Sequence, residues 1–245
     1  MTPLLAATVF AGALAAGFFS GLTGFGTGLV ALGFWLHVIE PRLAAPLVVI
    51  CSVVAQLQAL PRIRRSIHWG RLWPFLLTGL AGVPLGVLAL EHIEAAAFRA
   101  ALGVFLVLYA GAMLLSRSLP VVTWGGRGAD AAVGLGSGVL GGAAGLSGAL
   151  PTVWCGLKGW SKDEQRAVYQ PFNLTVLAWA LVSQAYQGVI TSQVAWLTLL
   201  CLPGTLAGTW LGLRSYGRLN DRQFRLVVLW LLLASGTVLT VSNLI

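Results

Sequence analysis

Acidic residues are scarce in this chain: seven Asp and Glu stand against fifteen Lys and Arg in 245 residues. Charged residues of both signs make up only 9%, where a water-soluble globular chain carries roughly 25%. That is too little polar surface to coat a soluble body, and a hydrophobic share of 58% with a mean hydropathy of +0.87 makes lipid the expected solvent for most of the chain. Cysteine is also rare. Cys51, Cys155 and Cys201 are odd in number, lie inside apolar runs and have no close spacing, which excludes a disulfide scaffold and a zinc or redox motif and leaves them as small hydrophobes. The three histidines, His37, His68 and His92, are scattered. No HxxxH, CxxC or paired acidic motif accompanies them, so no metal centre, cofactor site or acid–base pair is expected, and the reading is not an enzyme. Disorder is excluded by the hydrophobicity. The net charge of +8 does not indicate nucleic acid, because the basic residues fall in short clusters between apolar runs, as the flanks of membrane helices do.

What the chain has is long charge-free runs. About 20 apolar residues cross the hydrocarbon core, and residues 43–61, 72–90, 100–116 and 226–245 contain no Asp, Glu, Lys or Arg. Each fits one helix. Residues 167–213 are equally free of charge and long enough for two helices joined through the polar stretch 184–193. Six spans follow.

Residues 1–39 and 131–157 do not fit single spans, since each is interrupted by dense glycine, at Gly17-Phe-Phe-Ser-Gly-Leu-Thr-Gly-Phe-Gly-Thr-Gly28 and Gly134-Leu-Gly-Ser-Gly-Val-Leu-Gly-Gly-Ala-Ala-Gly-Leu-Ser-Gly148. Such runs predict a broken helix. An arm over 29–38 rises only ~15 Å, which stops short of crossing a bilayer. The opening residues 1–16 resemble a signal peptide around Ala13-Leu-Ala-Ala16 but lack a basic n-region, and are read as part of the first membrane segment.

The two glycine-rich segments open two similar halves. A shift of 121 residues lays Gly17, Gly21 and Gly24 on Gly138, Gly142 and Gly145; a shift of 122 lays Gly82-x-x-x-Gly86 on Gly204-x-x-x-Gly208; a shift of 126 lays Phe98-Arg99 on Phe224-Arg225. The expected organisation is a first repeat over 1–118, a connecting loop over 119–128 and a second repeat over 129–245. Charge tests the topology. With glycine segments as single spans, the basic residues split 6 to 9 between the two sides; with each segment a hairpin returning to its own side, they split 13 to 2, leaving only Arg42 and Arg99 opposite the rest. The second split obeys the positive-inside rule. One hairpin plus three helices per half is an odd number of crossings, so the halves are expected to be inverted, with both termini outside. The fold class is therefore an all-α polytopic membrane protein of two inverted repeats, each a broken glycine-rich helical hairpin plus three transmembrane helices.

These motifs, together with Gln170-Pro-Phe-Asn-Leu174, Pro203-Gly-x-x-x-Gly208 and Phe224-Arg225, resemble the TauE/SafE family of sulfite and organosulfonate exporters across nearly the whole chain. Thr27 departs from the pattern where a third glycine is frequent, and Ala143-Ala144 dilute the second motif. The resemblance implies transport of a small sulfur-containing anion such as sulfite, thiosulfate or an organosulfonate across the inner membrane.

Independently of the family, a broken helix at bilayer depth offers unpaired backbone N–H groups and the positive end of a helix dipole, both of which favour an anion. The expected substrate ligands are Ser20, Gly21, Thr23, Gly24, Gly26, Thr27 and Gly28 at the first tip, Gly142, Gly145, Ser147 and Gly148 at the second, and Asn173, next to Pro171, which is expected to end a helix and free a carbonyl. The same glycines also suit plain helix packing. All seven acids fall at segment ends or in loops, which argues against a cation carrier. Gln56, Gln58, Asn173, Thr175, Ser183 and Gln184 lie inside apolar runs and are expected to bridge helices, with Asn173 also a candidate for the site. Trp35, Trp69, Trp73, Trp124, Trp160 and Trp196 are expected in an aromatic belt, and Arg166 belongs to the positive side. The leading function is a secondary transporter working by alternating access; the alternative is an anion channel or a non-transporting membrane assembly subunit. The coupling ion, proton or sodium, and a homo-oligomeric assembly stay open, and no nucleic acid partner is expected.

Overall fold

The computed structural model describes residues 3–35, 37–89, 95–115, 121–144 and 147–241, and among them every regular element is helical. The order is α1 (Pro3–Thr23), α2 (Thr27–Trp35), α3 (Pro41–Ile63), α4 (Trp69–Ala89), α5 (Ala95–Leu115), α6 (Gly126–Ala144), α7 (Ala149–Leu157), α8 (Lys162–Tyr186), α9 (Ser192–Tyr216) and α10 (Asp221–Val241), with one short 3-10 turn at Arg64–Ser66. The charge-free runs account for α3, α4, α5, α8, α9 and α10, because a backbone in hydrocarbon can satisfy its own N–H and C=O groups only by closing them within a helix. Of the described helices, α1, α3 and α9 are both long and apolar enough to cross a membrane.

Both glycine-rich segments are broken. In the first, α1 stops at Thr23, and Gly24 and Gly26 take φ of +84° and +87°, a left-handed conformation in which glycine carries no steric penalty. The short arm α2 then doubles back. Its Trp35 indole N–H donates to the Val9 carbonyl at 3.0 Å, and Trp35 and Phe34 crowd the face of Gly12, so the end of the arm lies beside the middle of α1. The arm occupies Thr27–Trp35, slightly earlier than the expected 29–38, because the helix restarts directly after Gly26. The second segment repeats the plan with α6 and the nine-residue α7.

The described residues form two compact units: residues 1–65 with 173–218, and residues 66–172 with 219–245. In the first unit α1 packs on α9 almost backbone to backbone. Gly17 and Gly21 face the carbonyls of Thr205 and Thr209, while Gly208 and Gly212 face those of Leu14 and Phe18. A Cβ at any of these positions would collide with main chain. An apolar cluster of Val9, Ala13, Ala16, Ala31, Trp35, Leu47, Cys51 and Cys201 fills the space between α1, α2, α3 and α9. In the second unit α4 packs on α6 in the same way, with Gly138 and Gly142 on the carbonyls of Gly79 and Val83 and Gly82 on that of Leu135. There α5 meets α10 through Gly103 and Gly236, each facing the other's carbonyl. Small residues allow such approach, which is how helices associate where lipid removes the hydrophobic drive between them.

Two expectations are corrected. Pro171 does not end a helix: α8 runs through it from Lys162 to Tyr186, as prolines in membrane helices do when neighbouring groups re-satisfy the backbone. Trp35 is not in an aromatic belt but has no exposed surface, since its indole clasps the hairpin. Arg166, counted among the thirteen basic residues of one side, is fully buried within α8, where its Nε donates to Gln170 Oε1 at 3.0 Å.

Candidate functional site

The first tip is built from residues 20–28. Ser20 lies in the last turn of α1 with its side chain buried, and its carbonyl accepts the Gly24 N–H at 2.8 Å. Thr23 is fully buried, and its hydroxyl lies 2.8 Å from the Phe19 carbonyl and 3.0 Å from that of Phe25, which spends its proton on the local backbone. Gly24 and Gly26 make the turn. The Gly24 carbonyl accepts from Gln56 Nε2 at 2.9 Å, so α3 pins the tip, and Gln58 Nε2 reaches the Leu206 carbonyl at 3.2 Å to tie α3 to α9. Thr27 is buried as the first residue of α2. Gly28 faces Val48, where a Cβ would sit 3.0 Å from its side chain. The Gly26 carbonyl accepts from Val30 N–H, so the amides that open α2 point beyond the helix end.

The second tip is described on both flanks, with Gly145 outside the described residues. Ser147 is buried. Gly148 is the N-cap of α7 with no side-chain cap, and its carbonyl accepts from Thr152 N–H at 3.2 Å. Both tips therefore lead into a nine-residue helix, which follows the side-chain-free Gly26 in the first and the N-cap Gly148 in the second, and backbone amides and the helix dipole act together on an anion at such starts. Gly21 and Gly142 stand apart from this role, because their open faces are taken up by the backbones of α9 and α4. Asn173 is buried inside α8. It shares the first compact unit with the first tip.

Sequence reasoning missed the second clasp. Trp154 on α7 donates its indole N–H to Asp130 Oδ1 on α6 at 2.7 Å, with both residues buried. Lys158 Nζ sits 4.7 Å from the centre of the Trp154 ring and bonds the Trp124 carbonyl at 3.0 Å, and the Trp124 ring meets Trp154 edge-on at 6.2 Å. The readable signal was an acid one turn into an otherwise acid-free span. Beside this clasp an open groove of about 760 Å³ is lined by His68, Arg71, Arg127, Asp130, Lys158 and Trp160. Arg71 bonds Glu164 at 2.7 Å; that guanidinium, aided by Ser161, holds the Glu164 carboxyl below its ordinary range. Cations thus outnumber acids at this mouth, while no group of three or more metal-ligating side chains occurs among the described residues.

Residues 9–239 match the family model described as sulfite exporter TauE/SafE. The chain belongs to the TauE/SafE family. No curated protein and no solved structure matches it. Membership makes the chain a membrane transporter of the sulfite-exporter type, in keeping with its apolar helices and with the resemblance carried by its glycine motifs.

Proposed function

We propose that this TauE/SafE chain is a multi-pass carrier of the inner membrane that moves a small sulfur-containing anion by alternating access of two inverted repeats, with no catalytic step. The observation that carries the reading is a duplicated set of contacts. Gly17–Thr205, Gly21–Thr209 and Leu14–Gly208 in one unit correspond to Gly138–Gly79, Gly142–Val83 and Leu135–Gly82 in the other. A single pair of offsets, 121 residues for α1 against α6 and 126 for α4 against α9, relates all three. These contacts favour laying Gly82-x-x-x-Gly86 on Gly208-x-x-x-Gly212, one helical turn beyond the alignment at 122, and the offset of 126 is the one that Phe98-Arg99 and Phe224-Arg225 already have. The same shift of 121 takes Val9 to Asp130, the two acceptors of the tryptophan clasps.

Duplicated halves with paired broken helices are the construction of alternating-access carriers, and tip amides are the donors offered to the anion. A proton or sodium ion couples the cycle, and the working assembly is a homo-oligomer or a single copy. The test is transport of radiolabelled sulfite by proteoliposomes holding the wild-type chain or Gly24→Leu. Wild-type protein accumulates the label against a gradient; Gly24→Leu, which forces a side chain into a left-handed turn at the tip, abolishes uptake while remaining folded by circular dichroism. Downhill flux with no accumulation would point to a channel, and full activity of Gly24→Leu would remove the tip from the mechanism.

A further inference from the structure

A second polar site lies in the unit formed by residues 66–172 and 219–245, one helical turn past Gly148 at Thr152. Tyr109 and Met113 of α5, Thr152 of α7, Gln165 of α8 and Arg225 and Leu232 of α10 line a small pocket. Two of its polar side chains are committed to the frame: the Tyr109 hydroxyl donates to the Val153 carbonyl at 3.3 Å, and Gln165 Nε2 to the Trp160 carbonyl at 2.8 Å. The other two are not. Arg225 Nε and Thr152 Oγ1 are buried and find no hydrogen-bond partner among the described residues.

Thr152, like Thr205 and Thr209 of α9, has a buried hydroxyl without a hydrogen-bond partner among the described residues, and it is the one of the three that shares its pocket with a cation. The hydroxyls of Thr8, Thr78, Thr198 and Thr237 each bond the carbonyl four residues earlier in their helices, the ordinary way to satisfy such a group. Thr152 does not, although it is 2% exposed. A buried hydroxyl left unbonded is destabilising, and the arginine lining the same pocket carries a positive charge. No acid lines the pocket. A group that satisfied both donors would therefore have to be an acceptor, and the charge selects an anion.

We propose that Arg225 and Thr152 form a binding site for a compact sulfur oxyanion. The site rests on the reading of the chain as an anion carrier and adds a choice among substrates. About 20 Å³ of the pocket is open to the centre of a water-sized sphere, where one water needs roughly 10–15 Å³. That room admits only a ligand of a few heavy atoms, such as a pyramidal inorganic anion with several oxygens to offer the two donors. A sulfonate bearing a two-carbon chain would need room beyond this volume, in a pocket that Met113, Leu232 and other apolar side chains also line. Arg225 stands one turn into α10 and Gln165 in the first turn of α8, among the thirteen basic residues assigned to the cytoplasmic side, so the site is a loading position facing that side.

Binding of sulfite and of isethionate to the full chain in lipid nanodiscs, by titration calorimetry, tests the assignment together with sulfite uptake by proteoliposomes. Sulfite is expected to bind the wild-type protein, with isethionate weaker by tenfold or more. Arg225→Gln lowers sulfite affinity by at least tenfold and Thr152→Val by several-fold, whereas Arg222→Gln, exposed on the same helix, leaves it unchanged. Thr152→Val keeps size and shape, so it carries the test if Arg225→Gln fails to fold. Unaltered affinity in Thr152→Val and in any folded Arg225→Gln, with wild-type uptake intact, overturns the site and spares the carrier. Absence of both sulfite binding and uptake in the wild-type protein overturns both.

Discussion

The two hairpins solve one mechanical problem with different chemistry. Each short arm must be held against its long helix, and each is held by an indole N–H from the arm to the position that a shift of 121 residues makes equivalent. In the first hairpin Trp35 bonds the backbone carbonyl of Val9, in a pocket with no solvent exposure. In the second, Trp154 bonds the carboxylate of Asp130, with Lys158 over its ring and an open basic groove alongside. The first clasp depends on one side chain and is neutral. The second depends on a network of side chains, so sequence change can loosen it piece by piece.

The comparison breaks first at Trp35. Trp35→Ala removes a fully buried indole and is expected to cost about 3–5 kcal/mol, read as the largest fall in unfolding midpoint when the purified variants are titrated with denaturing detergent. Gly21→Ala and Gly142→Ala come next, at about 1–3 kcal/mol each, because the added methyl group meets main chain in both units; unequal losses in the same titration would sever the equivalence between α1 and α6. A sharper contrast lies in removing only the indole N–H. Trp154→Phe leaves the buried Asp130 carboxylate short of a partner and should cost about 1.5–3 kcal/mol, whereas Trp35→Phe spares Val9, whose carbonyl sits within a helix, and should cost about 0.5–1.5 kcal/mol. Equal values would erase the distinction between the clasps. The smallest effect belongs to Lys158→Met, about 0.5–1 kcal/mol for a cation over a ring near the surface, with a decrease at high salt that Trp35→Phe lacks.

Much of this architecture was legible in the chain. The charge-free runs located α3, α4, α5, α8, α9 and α10, because backbone in hydrocarbon has no alternative to the helix. Glycine density located both breaks to within a few residues, since Gly24 and Gly26 adopt backbone angles that other residues resist. Short helices begin at Thr27 and Ala149, after the two glycine-rich runs. Gly21 and Gly142, expected at the same tips, serve helix contact instead, and nothing local separates a glycine that faces a ligand from one that faces a carbonyl. Pro171 illustrates the same limit: a proline weakens a helix in isolation, yet the surroundings of α8 let it continue.

Composition and spacing by themselves determined the solvent, the helices and their breaks, because these depend on local backbone satisfaction and on what each residue costs in lipid. Tertiary structure alone decided which helices pair. It placed α9 on α1 and α4 on α6, gave Trp35 and Trp154 their partners across the hairpins, and buried Arg166 inside a helix that begins with charges. Those outcomes depend on backbones approaching closely enough for a carbonyl to meet a glycine or an indole, a distance between residues far apart in the chain that no local pattern encodes.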